Sequence, residues 1–154
     1  MILSAPLDDL LHQAISSMQT LLGLLKEEQS YLISNQLDSL LVLTIDKQTA
    51  AFEAEQAGLA LSQFFAEQGI NPQSDIDAWF TEQQPKALVQ WHLLLEHTRQ
   101  AAAFNTSNGK LIETRQQLIN TFMQQVLDAS QNSPLYAPDG KLTSLPQGQR
   151  RDLA

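Results

Sequence analysis

Apolar residues recur every seven positions along most of the chain, and this spacing predicts long amphipathic helices. The first predicted helix covers residues 6–34, because Pro6 suits the first helical turn. The second covers residues 37–68 and stops before Gly69, since glycine readily adopts the backbone conformation that ends a helix. The seven-residue lines in these helices are Leu7, Ala14 and Leu21; Leu11, Met18, Leu25 and Leu32; and Ile45, Phe52, Leu59 and Ala66.

A short helix and a third long helix follow. Ser74 and Asp77 resemble a capping box, which predicts a short helix over residues 75–83. A long helix is then predicted from Pro85, over residues 85–130. Its seven-residue lines are Leu88, Leu95, Ala102 and Gly109, and Trp91, Thr98, Asn105, Ile112, Ile119 and Val126.

We call residues 105–109 the waist of this long helix. The sequence Asn-Thr-Ser-Asn-Gly favours a turn, but the seven-residue spacing continues through it in phase. Because a loop would shift that phase, we predict that Asn105, Asn108 and Gly109 lie in one continuous helix. A glycine inside a helix costs about 1 kcal/mol relative to alanine. We therefore expect Gly109 to allow a neighbouring helix to approach closely, or to allow a bend.

Together these elements predict an all-α fold. Only two residues separate the first two helices, which forces a long antiparallel helical hairpin. The third long helix joins the hairpin in an elongated bundle over residues 1–130, with the short helix as a connection. Residues 131–154 contain three prolines and two glycines and are predicted to be a mobile tail.

The long helix outreaches the hairpin. At about 1.5 Å per residue, the first two helices reach roughly 45 Å and the third roughly 70 Å. The half beyond the waist therefore needs another cover, and an uncovered apolar stripe on a protein marks an interaction site for a partner helix. Two other interpretations are that this helix bends back or that the tail covers the stripe. The candidate binding residues are Leu111, Ile112, Arg115, Leu118, Ile119, Phe122, Met123 and Val126.

Composition excludes several classes of protein. The formal net charge is −8, and residues 1–84 contain twelve acidic residues against two lysines. Such a balance disfavours nucleic acid as the main partner, since phosphate contacts need clustered Lys and Arg. There is no cysteine, which excludes disulfides and Cys-type zinc sites. We find no signal peptide and no run of apolar residues long enough to span a membrane, so no membrane insertion is expected.

Catalytic and metal chemistry find no support in the sequence. His92 and His97 are five residues apart, so they do not share a helical face as a metal-binding pair would. No nucleophile elbow or phosphate-binding glycine loop occurs. Glu27-Glu28, Glu53 and Glu55 are interpreted as solvated faces, and three aromatic side chains as core anchors: Trp79, Phe80 and Trp91. We therefore predict no enzyme, no cofactor and no metal.

Residues 104–115 resemble the hallmark segment of the FlgN family of flagellar export chaperones. The tail run of residues 135–140, Leu-Tyr-Ala-Pro-Asp-Gly, is similar to that family's Leu-Tyr-Gly-Pro-Asp-Gly. Residues 37–41 are similar to the start of the family's second helix, and Lys47 to its mid-helix lysine. The matching positions of the hallmark segment are Asn105, Asn108, Gly109, Leu111, Ile112 and Arg115.

The resemblance implies a cytoplasmic chaperone without catalytic residues. Such a protein holds hook-filament junction proteins by their C-terminal helices and delivers them to the cytoplasmic domain of the type III export gate. The tail residues Leu135, Tyr136, Asp139 and Gly140 are then expected to dock on that gate, although Tyr136 packing back on the bundle remains an alternative. The other interpretation of the chain is a self-assembling coiled-coil scaffold or adaptor, in which the uncovered stripe forms a homodimer.

Overall fold

The computed structural model describes residues 6–71 and 75–132, which form helices and contain no strand. The elements are α1 (Leu7–Ser34), α2 (Leu37–Glu67), α3 (Ile76–Gln83), a 3₁₀ turn (Pro85–Ala87) and α4 (Leu88–Asn132). The chain divides into two compact units, Met1–Leu111 and Ile112–Ala154. The first unit contains α1, α2, α3 and the first half of α4, and the second contains the rest of α4. The predicted all-α fold is confirmed.

Turn chemistry explains where the helices end. Asn35 adopts a left-handed backbone with φ 61°, and the next amide, of Gln36, donates to the Tyr31 carbonyl over 2.9 Å. Asparagine tolerates this conformation, so α1 stops and α2 starts after a two-residue connection. Gly69 has φ 78° and follows the end of α2, as predicted. The predicted helix boundaries hold to within three residues.

The start of α3 differs from the predicted capping box. Asp75 is the N-cap, and its Oδ1 accepts a hydrogen bond from the Ala78 amide over 3.1 Å. Ser74 lies outside the described residues. The carboxylate of Asp77 instead accepts bonds from Trp91 Nε1 (3.1 Å) and His92 Nε2 (2.8 Å). Asp77 thus ties α3 to α4 rather than capping its own helix.

Aromatic rings form the end of the core where α3 packs. Phe80 is fully buried and stacks on Trp91 with ring centroids 5.5 Å apart. Phe65 of α2 meets both rings edge to face, at 6.0 and 5.5 Å. The predicted role of these aromatic residues as core anchors is confirmed. Apolar residues of α1, α2 and α4 continue the core, including Leu11, Ala14, Ala57, Leu61 and Leu94.

The seven-residue lines predicted for α2 and α4 are wrong by a fraction of a turn, although the helices themselves are correct. On α2, Ile45 and Phe52 are 68% and 61% exposed. The buried line is instead Leu43, Ala50 and Ala57. Small residues face α1 because they let the helices pack closely, and the larger side chains point outwards. Along the 3₁₀ turn and α4, the buried line lies one residue before the predicted one and comprises Ala87, Leu94, Ala101 and Asn108.

Candidate functional site

The waist is helical, as predicted, and Asn108 is its anchor. The Asn108 side chain is 1% exposed. Its Nδ2 donates to the Leu25 carbonyl over 2.8 Å and to Glu28 Oε1 over 2.9 Å. Beside it, Gln29 Nε2 donates to Ser107 Oγ over 3.1 Å. The polar residues that favour a turn in isolation therefore form interhelical hydrogen bonds to α1, which favours the helix here.

Glu28 joins all three long helices at this point. It is 7% exposed, so its interpretation as part of a solvated face is wrong. Lys47 of α2 forms an ion pair with Glu28 Oε2 over 2.8 Å, while Asn108 of α4 donates to the other oxygen. A buried carboxylate is tolerated only when it is paired and hydrogen-bonded, and both conditions are met. Glu28 lies seven residues after Leu21 on a predicted apolar line, and this spacing is the sequence signal for its burial.

Gly109 does not admit a closely packed neighbouring helix, and its alternative role in a bend stays a prediction. A side chain built at this position would meet nothing within 4 Å, so no neighbouring helix approaches closely. Asn105 is also exposed. Of the waist residues, Asn108 and Ser107 form interhelical hydrogen bonds, whereas Asn105 and Gly109 are exposed.

Replacing Gly109 with alanine is expected to stabilise the first unit by about 1 kcal/mol, because alanine favours the helix and the position has open space. Urea denaturation followed by circular dichroism measures this change. A loss of stability in Gly109→Ala would show that another part of the protein packs closely against this glycine.

The second half of α4 carries an exposed apolar surface, which we call the distal face. Its large apolar side chains are between 44% and 66% exposed. Leu111 and Arg115, two further candidate residues, are partly buried. The distal face comprises Ile112, Leu118, Ile119, Phe122, Met123, Val126 and Leu127.

Helical geometry gathers these residues on one half of the helix surface. At about 100° per residue, Ile112, Ile119, Met123 and Val126 form the centre of the stripe. Leu127 was missed by the sequence analysis, although its position four residues after Met123 places it beside that centre.

Most polar residues close to this surface are uncharged. Gln116 donates to Asn120 and Gln124 to Asp128, each four residues further along α4. Between residues 112 and 132 the charged residues are Glu113, Arg115 and Asp128. An apolar stripe with few charges at its edges accepts another apolar helix without strong electrostatic selection.

The structure also bears on what covers the distal face. The helix α4 runs unbroken from Leu88 to Asn132, and the alternative that it bends back stays a prediction. The described residues leave the face exposed. The tail residues Leu135, Tyr136, Asp139 and Gly140 lie outside the described residues, so their docking stays a prediction.

Histidines have hydrogen-bonding roles in the first unit. His12 bonds the Asp8 carbonyl, His97 bonds Gln19, and His92 bonds Asp77. Among residues 6–71 and 75–132, no three His, Asp or Glu side chains are grouped as a metal site would require. No helix of the described part of the chain is long and apolar enough to cross a membrane.

Comparison with known protein families decides the identity of this helical protein. The family model described as FlgN protein matches residues 1–144, which include α1 to α4. The chain belongs to the FlgN family. No curated protein and no solved structure matches it. FlgN-family proteins are chaperones of flagellar export, not enzymes, and the resemblance inferred from the waist and tail motifs is thereby confirmed.

Two motif positions of this FlgN-family chain acquire physical roles. Asn108 of the hallmark segment and Lys47 of α2 meet at the same buried carboxylate, Glu28. Ile112, by contrast, is exposed on the distal face. The hallmark segment therefore contains both an anchor of the bundle and the beginning of the candidate binding surface.

Proposed function

We propose that this FlgN-family protein is a cytoplasmic chaperone that holds hook-filament junction proteins by their C-terminal helices. The observation that supports the proposal is the distal face, an exposed apolar stripe on a helix in a protein of an export-chaperone family. An amphipathic client helix would lay its apolar side along Ile112, Ile119 and Val126. Arg115 and Leu118 border the stripe and would contact the client's edges.

Burial of apolar side chains supplies the affinity in this proposal. Burying a side chain of the size of Ile or Phe contributes about 1.5–3 kcal/mol. Four such side chains would contribute on the order of 6–12 kcal/mol before the entropic cost of association is subtracted. Met123 adapts its shape to different neighbours, which suits a surface that accepts more than one client.

Light scattering on a size-exclusion column tests this function. We expect a monomer alone and a one-to-one complex after addition of a full-length hook-filament junction protein. The proposal would be contradicted if the free protein formed a dimer that persists at nanomolar concentration and does not dissociate when the client is added. That result would favour the self-assembling scaffold.

The tail completes the proposed delivery step. Leu135, Tyr136, Asp139 and Gly140 match the family's tail motif, and we propose that they dock on the cytoplasmic domain of the export gate. Pro134 and Pro138 flank Leu135 and Tyr136 in the sequence, and proline-flanked segments of this kind are common ligands of partner proteins.

Tyr136→Ala is expected to leave folding and client binding unchanged but to lose gate binding, because the largest anchor of the motif is removed. Pull-down of the purified gate domain and a secretion assay provide the measurement, with Tyr31→Ala as a control for loss of a tyrosine elsewhere. Normal gate binding and secretion by Tyr136→Ala would contradict the docking proposal.

A further inference from the structure

An apolar concavity, separate from the distal face, lies within the first unit between α2 and α4. Its volume is about 580 Å³, and its lining is mainly apolar. We call it the α2–α4 groove. Ala14 and Met18 of α1 form the floor, and Ile70 and Ile76, at the connection between α2 and α3, line one end. It shares no residue with the distal face.

The α2 wall of the groove consists of small residues. Ala54, Gly58, Ser62 and Ala66 follow one another at four-residue spacing and all line the groove. Small side chains at this spacing let the backbone of another helix approach closely. At 1.5 Å per residue this wall is about 18 Å long, which is the length of a helix of about twelve residues.

The opposite wall supplies larger apolar side chains. Trp91, Leu94 and Leu95 of α4 line the groove, and Leu95 remains 43% exposed. Gly58, facing them from α2, has open space where a side chain would be. The groove is thus a trough between two helices with a third as its floor, and an additional helix would turn this side of the unit into a four-helix arrangement.

Charge indicates which kind of helix fits. The first unit, Met1–Leu111, contains thirteen acidic and five basic residues. The basic side chains beside the groove are already engaged, because Arg99 is paired with Glu96 and His92 with Asp77.

On the α2 rim, Glu55 lies two helical turns from Ser62 on the same side and has no ion pair among the described residues. The rim is therefore complementary to basic side chains. Two other occupants fit the groove less well. A second copy of the chain would bring another strongly acidic unit against this one. Residues 133–154 of the chain itself contain three prolines, and proline disfavours the helix that the groove would hold.

We propose that the α2–α4 groove binds an amphipathic helix of a partner protein, with apolar residues towards Gly58 and Leu95 and basic residues along its edges. This site is distinct from the distal face and gives the chaperone a second docking surface. It lets the protein engage a basic helical partner while a client occupies α4.

Peptide titration of the full-length protein tests this proposal. The probe is a synthetic fourteen-residue helical peptide, of a length set by about 1.5 Å per residue, with leucines on one face and lysines on the other. A matched peptide carries glutamate in place of lysine. By calorimetry we expect the lysine peptide to bind and the glutamate peptide to bind at least about tenfold more weakly, a difference that long-range electrostatics readily supplies. Equal affinity for both peptides would overturn the charge argument.

Two pairs of variants locate the binding. Gly58→Leu fills the groove, whereas Gly23→Leu makes the same change at a helical glycine that also has open space but lies outside the groove. Leu95→Lys adds a repelling charge on the other wall, and Leu93→Lys is its control with the same 43% exposure. We expect the two groove variants to weaken lysine-peptide binding at least about tenfold and the controls to leave it unchanged. Unchanged binding by both groove variants would overturn the proposal.

The remaining outcomes separate this site from other occupants and from client binding. Stronger peptide binding after the combined changes Leu135→Ala and Tyr136→Ala would assign the groove to the chain's own tail. A dimer that Gly58→Leu dissociates would assign it to a second copy. Either result overturns the proposal. Ile119→Asp combined with Phe122→Asp is expected to leave peptide binding intact, so failure of the distal face as a client site is distinguishable from failure of the groove.

Discussion

Introducing aspartate at both Ile119 and Phe122 is expected to abolish client binding, with at least about a hundredfold loss of affinity. Both side chains are exposed on the distal face, and a complex would bury them. Two carboxylates placed in a desolvated apolar interface lose hydration without gaining partners, which costs several kcal/mol. Calorimetric titration with a client C-terminal helix measures the loss.

Gln117→Asp combined with Thr121→Asp is the matched control. These residues are exposed on the opposite side of α4 at the same depth along the helix, and the variant adds the same charge. We expect the control to retain client affinity and both variants to retain the circular-dichroism helix signal. Loss of helicity in Ile119→Asp/Phe122→Asp would mean that these side chains stabilise the fold instead of binding a client.

Removing the buried carboxylate of Glu28 is expected to cause a large loss of stability in the first unit. Glu28→Ala leaves Lys47 without its ion pair and removes an acceptor from the buried Asn108 side chain. Breaking such a pair costs about 3 kcal/mol, the lower end of the usual range, because Lys47 retains partial access to water. Urea denaturation of Glu28→Ala gives this value.

Glu27→Ala is the adjacent control, since Glu27 is exposed and forms no ion pair among the described residues. Its effect is expected to stay within about 0.5 kcal/mol. Equal stabilities for the two variants would show that the polar contact among α1, α2 and α4 is not required for the bundle.

Helix content was predictable, but the face that each helix buries was less so. Seven-residue spacing and turn residues such as Asn35 and Gly69 located the four helices to within a few residues. The spacing of large apolar residues predicted the wrong packing side for α2, because Ala50 and Ala57 are buried and Phe52 is exposed. Close helix packing depends on small residues, and a pattern of large side chains does not reveal it.

The exposure of the apolar stripe was predictable from residue spacing, whereas its use as a binding site stays a prediction. Ile119, Phe122 and Met123 recur on one side of the second half of α4, and all three are exposed in the structure. The role of Glu28 was not predictable from charge alone, since its burial depends on two partners that are distant in sequence, Lys47 and Asn108. The α2–α4 groove was missed for a related reason, because it exists only once three helices are placed together.

Hydrogen–deuterium exchange of the full-length protein, with and without a C-terminal helix of a hook-filament junction protein, tests the client-binding surface most directly. Amides of α4 beyond Leu111 belong to the unit with few buried side chains and are expected to exchange rapidly in the free protein. Client binding is predicted to slow exchange in residues 112–127 and to leave residues 54–66 of α2 unchanged. Protection confined to residues 54–66, with none in residues 112–127, would contradict the assignment of the distal face to the client.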